Sequence, residues 1–82
     1  EFIIILPETG SSGASIVAEK IRSLTENEII TDIKTGDFRF TISAGISSYS
    51  NKTESFETMI KEADEMLYIS KKAGRNRVTI FK

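Results

Sequence analysis

The sequence predicts an α+β domain with its elements in the order β-α-β-β-α-β, and three patterns carry that prediction. Two stretches place apolar residues at helical spacing: Ala14, Val17, Ala18, Ile21 and Leu24 in one, and Phe56, Met59, Ile60, Ala63, Met66 and Leu67 in the other. Four short runs, Phe2 to Leu6, Ile29 to Ile33, Phe38 to Ala44 and Val78 to Phe81, are rich in the β-branched and aromatic residues that suit strands. Pro7, Gly36 and Gly74 fall between these runs, where a change of chain direction is needed.

Taken in order, Phe2-Ile3-Ile4-Ile5-Leu6 reads as a strand buried on both faces and stopped by Pro7. Thr9-Gly10-Ser11-Ser12-Gly13 reads as a turn plus helix cap, and the amphipathic helix after it ends near Thr25. From Ile29 the spacing changes to that of strands, and Thr35-Gly36-Asp37 predicts a hairpin turn with Gly36 able to adopt positive φ. Phe38, Phe40, Ile42 and Ala44 then alternate with Arg39, Thr41 and Ser43 as a second strand. Gly45 interrupts it, marking a bulge, a close backbone approach or a ligand contact. Residues 48–53 read as a loop, Ser55 as the N-cap of the second helix and Gly74 as its C′ residue, with Val78 to Phe81 as the last strand.

The bulk properties narrow the chemistry. With 82 residues, 39% hydrophobic and 28% charged, the chain is expected to fold as one small domain with a modest core. A net charge of −1 provides no field to gather a nucleic-acid polymer or an anionic membrane, so anion recognition has to come from local groups. The absence of cysteine and histidine excludes disulfides, zinc-thiolate sites, thiol nucleophiles and histidine bases. What remains favours magnesium and phosphate chemistry. The longest apolar run is too short to span a bilayer, so this segment is expected to be soluble and to make no membrane contact. A chain that begins at Glu1 without Met reads as a piece of something longer.

The strongest local charge is the cluster Lys71, Lys72, Arg75 and Arg77 around Ala73-Gly74. Two readings stand side by side. Cations at a helix C-terminus complement its dipole, which is a purely structural role. Alternatively, Lys71 and Arg75, four residues apart across the helix end, converge on one polyphosphate, the lysine as a point charge and the arginine as a fork. Asp64, on the same helical face as Lys71, either orients that lysine or solvates the helix.

Several stretches together resemble a known family, the GGDEF domains that make cyclic di-GMP from GTP. Glu1-Phe2 matches the last two letters of that signature, and the apolar strand and proline Ile3-Ile4-Ile5-Leu6-Pro7-Glu8-Thr9 follow as in the family. Ala18-Glu19-Lys20-Ile21-Arg22 fits the family's helix. Phe40-Thr41-Ile42-Ser43-Ala44-Gly45-Ile46-Ser47 is similar to its strand of the type TxSxGxS. The run from Ala63 to Val78, ending Lys71-Lys72-Ala73-Gly74-Arg75-Asn76-Arg77-Val78, is similar to its ADxALYxAKxxGRNxV.

The resemblance implies a partial nucleotidyl-cyclase palm-like, ferredoxin-like sheet with helices packed on it, residues 1–82 forming the C-terminal part of a single GGDEF domain. It implies a bacterial signal-transduction enzyme, a diguanylate cyclase, in which two GTP-loaded domains form a homodimer and Mg²⁺ offsets charge while each 3′-hydroxyl attacks the other α-phosphate. Lys71 and Arg75 fall on the positions that hold the β- and γ-phosphates. Glu1 falls beside the principal acid of the signature and takes a supporting catalytic role. No metal ligand is assigned within the chain. Because the metal-binding strand, the guanine-recognising helices and the inhibitory RxxD motif precede Glu1 in the family, the chain alone is expected to be inactive. The missing N-terminal part or another chain is its expected partner. The alternative is a non-catalytic GGDEF domain that binds nucleotide or dimerises for regulation. Use of GTP implies a cytoplasmic setting, with the parent protein able to be membrane-tethered.

Overall fold

Two helices of 17 residues each organise the chain: α1, Ser11–Asn27, and α2, Phe56–Lys72. The computed structural model describes residues 1–49 and 55–82, so the loop expected over residues 48–53 is described at Ser48 and Tyr49 and otherwise lies outside the described residues. Among the described residues four short strands accompany them: β1, Ile30–Asp32; β2, Gly36–Phe38; β3, Ala44–Ile46; and β4, Val78–Ile80. They form two separate ladders. β1 and β2 pair antiparallel, with Ile30 opposite Phe38 and Asp32 opposite Gly36. β3 and β4 pair parallel, with Ala44 opposite Val78 and Ile46 opposite Ile80.

Parallel strands need a crossover, and α2 provides it. Its start is fixed by Ser55, whose hydroxyl accepts a hydrogen bond from the Thr58 N–H at 3.1 Å, as the sequence predicts. Its face of Met59, Ala63, Met66 and Leu67 turns inward while Phe56 stays 55% exposed. The closest contact is at Gly45. A Cβ there would lie 2.8 Å from the Met66 carbonyl carbon and still nearer to the Ala63 carbonyl oxygen and the Leu67 nitrogen, all of them backbone. Of the readings open at Gly45, the close backbone approach is the one observed.

Ser70, fully buried, binds α2 to both strands of the parallel pair. Its hydroxyl donates to the Ala44 carbonyl at 2.8 Å and lies 2.7 Å from the Thr79 hydroxyl. Ile46 is the buried hydrophobic residue of this unit. α1 packs against β3 and β4 and runs two residues past its expected end, to Asn27. Its N-cap is Gly10, which makes no side-chain cap; the Thr9 hydroxyl turns back to the Pro7 carbonyl instead, and the Ser11 hydroxyl meets that of Ser48.

Two expectations need correction while the mixed α+β class stands. Phe2 to Leu6 joins no ladder, and Phe2 is 97% exposed. A strand exists by pairing, and the ladders here use other segments, so an apolar run without a neighbour stays irregular. The run from Phe38 to Ala44 is not one strand: β2 ends at Phe38, β3 starts at Ala44, and residues 39–43 link them. The two ends pair with different partners in separate ladders, and residues 39–43 between them join neither. The observed order is therefore α-β-β-β-α-β.

The radius of gyration, 14.5 Å, exceeds the roughly 12 Å of a compact chain of this length. Much apolar surface is open, including Ile3, Ile4, Ile5, Ile16 and Leu24. Among the described residues no helix is long and apolar enough to cross a membrane.

Candidate functional site

The site grows from the way α2 stops. Lys71 and Lys72 occupy its last turn, where positive charge complements the helix dipole. Ala73 is the C-cap, and Gly74 follows at φ 122°, a left-handed conformation that a side chain would strain. The Gly74 N–H donates to the Lys71 carbonyl at 3.4 Å and the Arg75 N–H to the Ser70 carbonyl at 2.9 Å, the paired bonds of a Schellman ending. The predicted C′ role of Gly74 is thus observed.

Beyond Gly74 the backbone stays left-handed, with Arg75 at φ 63° and Asn76 at φ 49°. For residues with a Cβ this costs about 1–2 kcal/mol each, although asparagine tolerates it better than most. The surroundings hold the conformation in place. The Asn76 N–H donates to the Ser43 hydroxyl at 3.1 Å. Its side-chain amide lies between two ionic groups of α1, accepting from the Arg22 guanidinium at 2.9 Å and donating to the Glu26 carboxylate. Arg77 folds back over the turn and donates from Nε to the Arg75 carbonyl at 3.1 Å.

Arg22 is the hub on the α1 side. It pairs with Glu19 one turn back and reaches Glu26 one turn on, at 3.5 Å. The Arg22 hydrogen bonds hold the Glu19 carboxyl below its ordinary value, and Glu19 in turn raises the guanidinium. Both groups remain charged throughout the physiological range.

The structure brings two of the sequence-predicted residues together. Lys71 Nζ lies 3.8 Å from the Glu1 carboxylate, so the opposite ends of the sequence meet at the end of α2. Arg75 is exposed on the same turn and forms no side-chain hydrogen bond or ion pair among the described residues. Lys72 turns elsewhere, its Nζ 5.8 Å from the centre of the Tyr68 ring. Asp64 does not pair with Lys71; it is exposed and lines an open hollow with Lys61, Glu65, Met66, Tyr68 and Ile69, which includes neither Lys71 nor Arg75.

Sequence reasoning did not single out Arg22, Glu26, Ser43 or Asn76 as parts of this site. The available signals were the Glu19-Arg22-Glu26 spacing on one helix face and an asparagine just after a glycine-ended helix. Among the described residues there is no group of three or more Asp, Glu, His or Cys placed to hold a metal ion. The lone Glu1 carboxylate facing Lys71 does not make a cation site by itself. The chain's own residues make a cationic helix end whose backbone is hydrogen-bonded through the turn, with Lys71 against Glu1 and the Arg75 side chain exposed. Such an arrangement suits a polyphosphate.

The family described as diguanylate cyclase, GGDEF domain, matches residues 1–77. Diguanylate cyclase A of Treponema denticola is 47% identical over the whole chain, and the diguanylate cyclase DosC of Escherichia coli is 37% identical over the whole chain. The chain spans only 22% and 18% of the lengths of these two relatives. The GGDEF domain of DgcB from Caulobacter crescentus, solved in complex with c-di-GMP, superposes with a TM-score of 0.85 at 30% identity, over 94% of this chain and 44% of that one. The active GGEEF domain of a diguanylate cyclase from Vibrio cholerae gives 0.78 at 26% identity, over 94% of this chain and 47% of that one.

Proposed function

The chain belongs to the GGDEF diguanylate cyclase family, and from that premise we propose that residues 1–82 are the C-terminal part of a GGDEF domain that condenses two GTP into cyclic di-GMP. In this reading Lys71 and Arg75 hold the β- and γ-phosphates of GTP, and Glu1 supports the acid expected just before it. The observation that carries it is the meeting of Glu1 with Lys71 at 3.8 Å, which joins the signature to the cationic helix end. Phosphoryl transfer depends on positioning and charge stabilisation more than on covalent help, and a lysine and an arginine carried on one hydrogen-bonded helix end are suited to provide these. Mg²⁺ supplies charge neutralisation when bound, through ligands contributed mainly by the remainder of the domain.

The same reading places the reaction between two GTP-loaded domains of a homodimer, in the cytoplasm where GTP is found. The open apolar surface of Phe2 to Ile5 is where the N-terminal part of the domain packs. The isolated 82-residue chain is expected to make no cyclic di-GMP from GTP and Mg²⁺, and product detected by chromatography from the purified chain would count against the proposal.

The decisive test uses the longer protein that carries this segment. Arg75→Ala removes a charged, fork-shaped donor and is expected to lower kcat/KM roughly 10- to 150-fold, with Lys71→Ala similar. Lys72→Ala is the control, because its side chain stands against Tyr68. Wild-type turnover in both Lys71→Ala and Arg75→Ala, with only a small change in melting temperature, would reduce the cations to helix-end stabilisers.

A further inference from the structure

The left-handed backbone at Arg75 and Asn76 demands a reason. Arginine has no local advantage at φ 63°, and a conventional helix exit after Gly74 would avoid the strain. Yet the structure fixes this dipeptide from every side. The Arg75 N–H is taken by Ser70 and its carbonyl by Arg77. Asn76 is held through its backbone by Ser43 and through both ends of its amide by Arg22 and Glu26. These partners come from α1, from the strand-flanking segment before β3 and from α2 itself, so the turn is fastened to three separate parts of the chain. The Arg75 guanidinium itself forms no hydrogen bond or ion pair among the described residues.

We propose that Asn76, gripped by Arg22 and Glu26, is a positioning residue that holds the Arg75 guanidinium ready for a nucleotide phosphate. This rests on the reading of Arg75 as a phosphate ligand. Asn76 itself does not touch phosphate in this arrangement; it acts through the backbone it locks. The amide is suited to the task because it must accept from a cation on one side and donate to a carboxylate on the other. Aspartate has the same shape and a similar tolerance of left-handed backbone, but it would set a second negative charge against Glu26. Glycine would accept the backbone conformation and lose the grip entirely.

These differences define the experiment, made in the longer protein with GTP as the varied substrate. Asn76→Asp is expected to raise KM roughly tenfold with a smaller change in kcat, because a misplaced ligand weakens phosphate binding more than it alters the reacting groups. Asn76→Asp combined with Glu26→Gln restores a donor opposite the new carboxylate and is expected to recover most of the loss. Asn76→Gly should raise KM similarly without recovery from Glu26→Gln, and in it the Arg75 amide should exchange hydrogen faster than in the wild type. In the Arg75→Ala background, Asn76→Asp should add little, since there is nothing left to position.

The outcomes separate cleanly. If Arg75→Ala raises KM while Asn76→Asp and Asn76→Gly change only the melting temperature, the positioning role is overturned and the phosphate grip survives. If Arg75→Ala leaves both kcat and KM at their wild-type values, the phosphate grip itself is overturned, and the positioning proposal with it. A rise in KM for Asn76→Asp that Glu26→Gln fails to recover would show that the α1 clamp is not the means, and would also overturn the proposal.

Discussion

The β1–β2 hairpin and the β3–α2–β4 unit are both built from three-residue strands, yet they hold together in different ways. Among the described residues the hairpin packs against no other element, its residues are almost all exposed, and Ile33 at its tip is fully open. Its order is local, coming from Gly36 at φ 84° and the Asp32 carboxylate, which accepts from the N–H groups of Lys34 at 2.7 Å and Thr35 at 3.1 Å. The β3–α2–β4 unit has local locks at the two ends of α2, in the Ser55 cap and the Gly74 ending, but its strands and helix are joined by contacts farther apart in sequence. It is held by backbone pressed on backbone at Gly45 and by the buried hydroxyl of Ser70. Alternating sequence can therefore draw a hairpin without burying it, whereas the parallel unit needs contacts distant in sequence to join its strands to its helix.

That contrast is most sharply tested at Gly45. Gly45→Ala sets a methyl group into the α2 backbone, which has no flexible end to yield, and is expected to cost about 3 kcal/mol. At this chain size the loss lowers the melting temperature by more than about 10 °C, read by thermal circular dichroism. A change under a few degrees would show that α2 can retreat and that the contact does not define the unit.

Ser70→Ala is the next test. It removes the donor to the Ala44 carbonyl and the partner of the Thr79 hydroxyl in a buried place, with an expected loss of about 1–2 kcal/mol in chemical denaturation. Ser70→Thr keeps the hydroxyl but adds a methyl group where no exposed surface remains, and should not rescue fully. Wild-type stability in Ser70→Ala would place the strength of the unit elsewhere.

The smallest effect belongs to the hairpin and is set by pH. The N–H bonds from Lys34 and then Thr35 hold the Asp32 carboxyl below its ordinary value of 3.8. A carboxyl depressed in the folded state stabilises above its unfolded pKa, and that stabilisation disappears as pH falls through the folded pKa. The hairpin should thus be unchanged at neutral pH and loosen only below about pH 4, with faster exchange of the Lys34 and Thr35 amides while Ser70 stays protected. Asp32→Asn keeps a side-chain acceptor without the titration and should abolish the pH dependence. Parallel loosening of both regions would mean that the hairpin is coupled to the rest after all.

Much of this was legible in the sequence wherever the cause is local. The apolar spacing of both helices, the Ser55 cap and the Gly74 ending all appear where the residues place them. Gly45 was legible as an interruption because an alternating strand has no other use for a glycine there. Phe2 to Leu6 misled because apolar composition states a preference for burial and says nothing about which neighbour supplies it. The break at residues 39–43 was hidden for a related reason, since period two continues through a link whose ends pair in opposite senses. For the candidate site, Lys71 and Arg75 stood out by charge, and their binding role remains the proposal made above. The clamp on Asn76 was invisible because it joins α1 to a turn far along the chain, and no spacing rule reaches that distance.

The notch at Gly45 also acts as a detent. A helix lying on a strand can ordinarily slide along its own axis, trading one set of side-chain contacts for another. Here the α2 backbone rests in a gap that only a residue without a side chain leaves open, and together with the Ser70 bonds this seat sets its axial position. One turn of slip would carry Lys71 about 5.4 Å along the axis, farther than a charge-assisted hydrogen bond can stretch. Gly45, which carries no side chain of its own, thereby helps to fix the reach of the site's lysine.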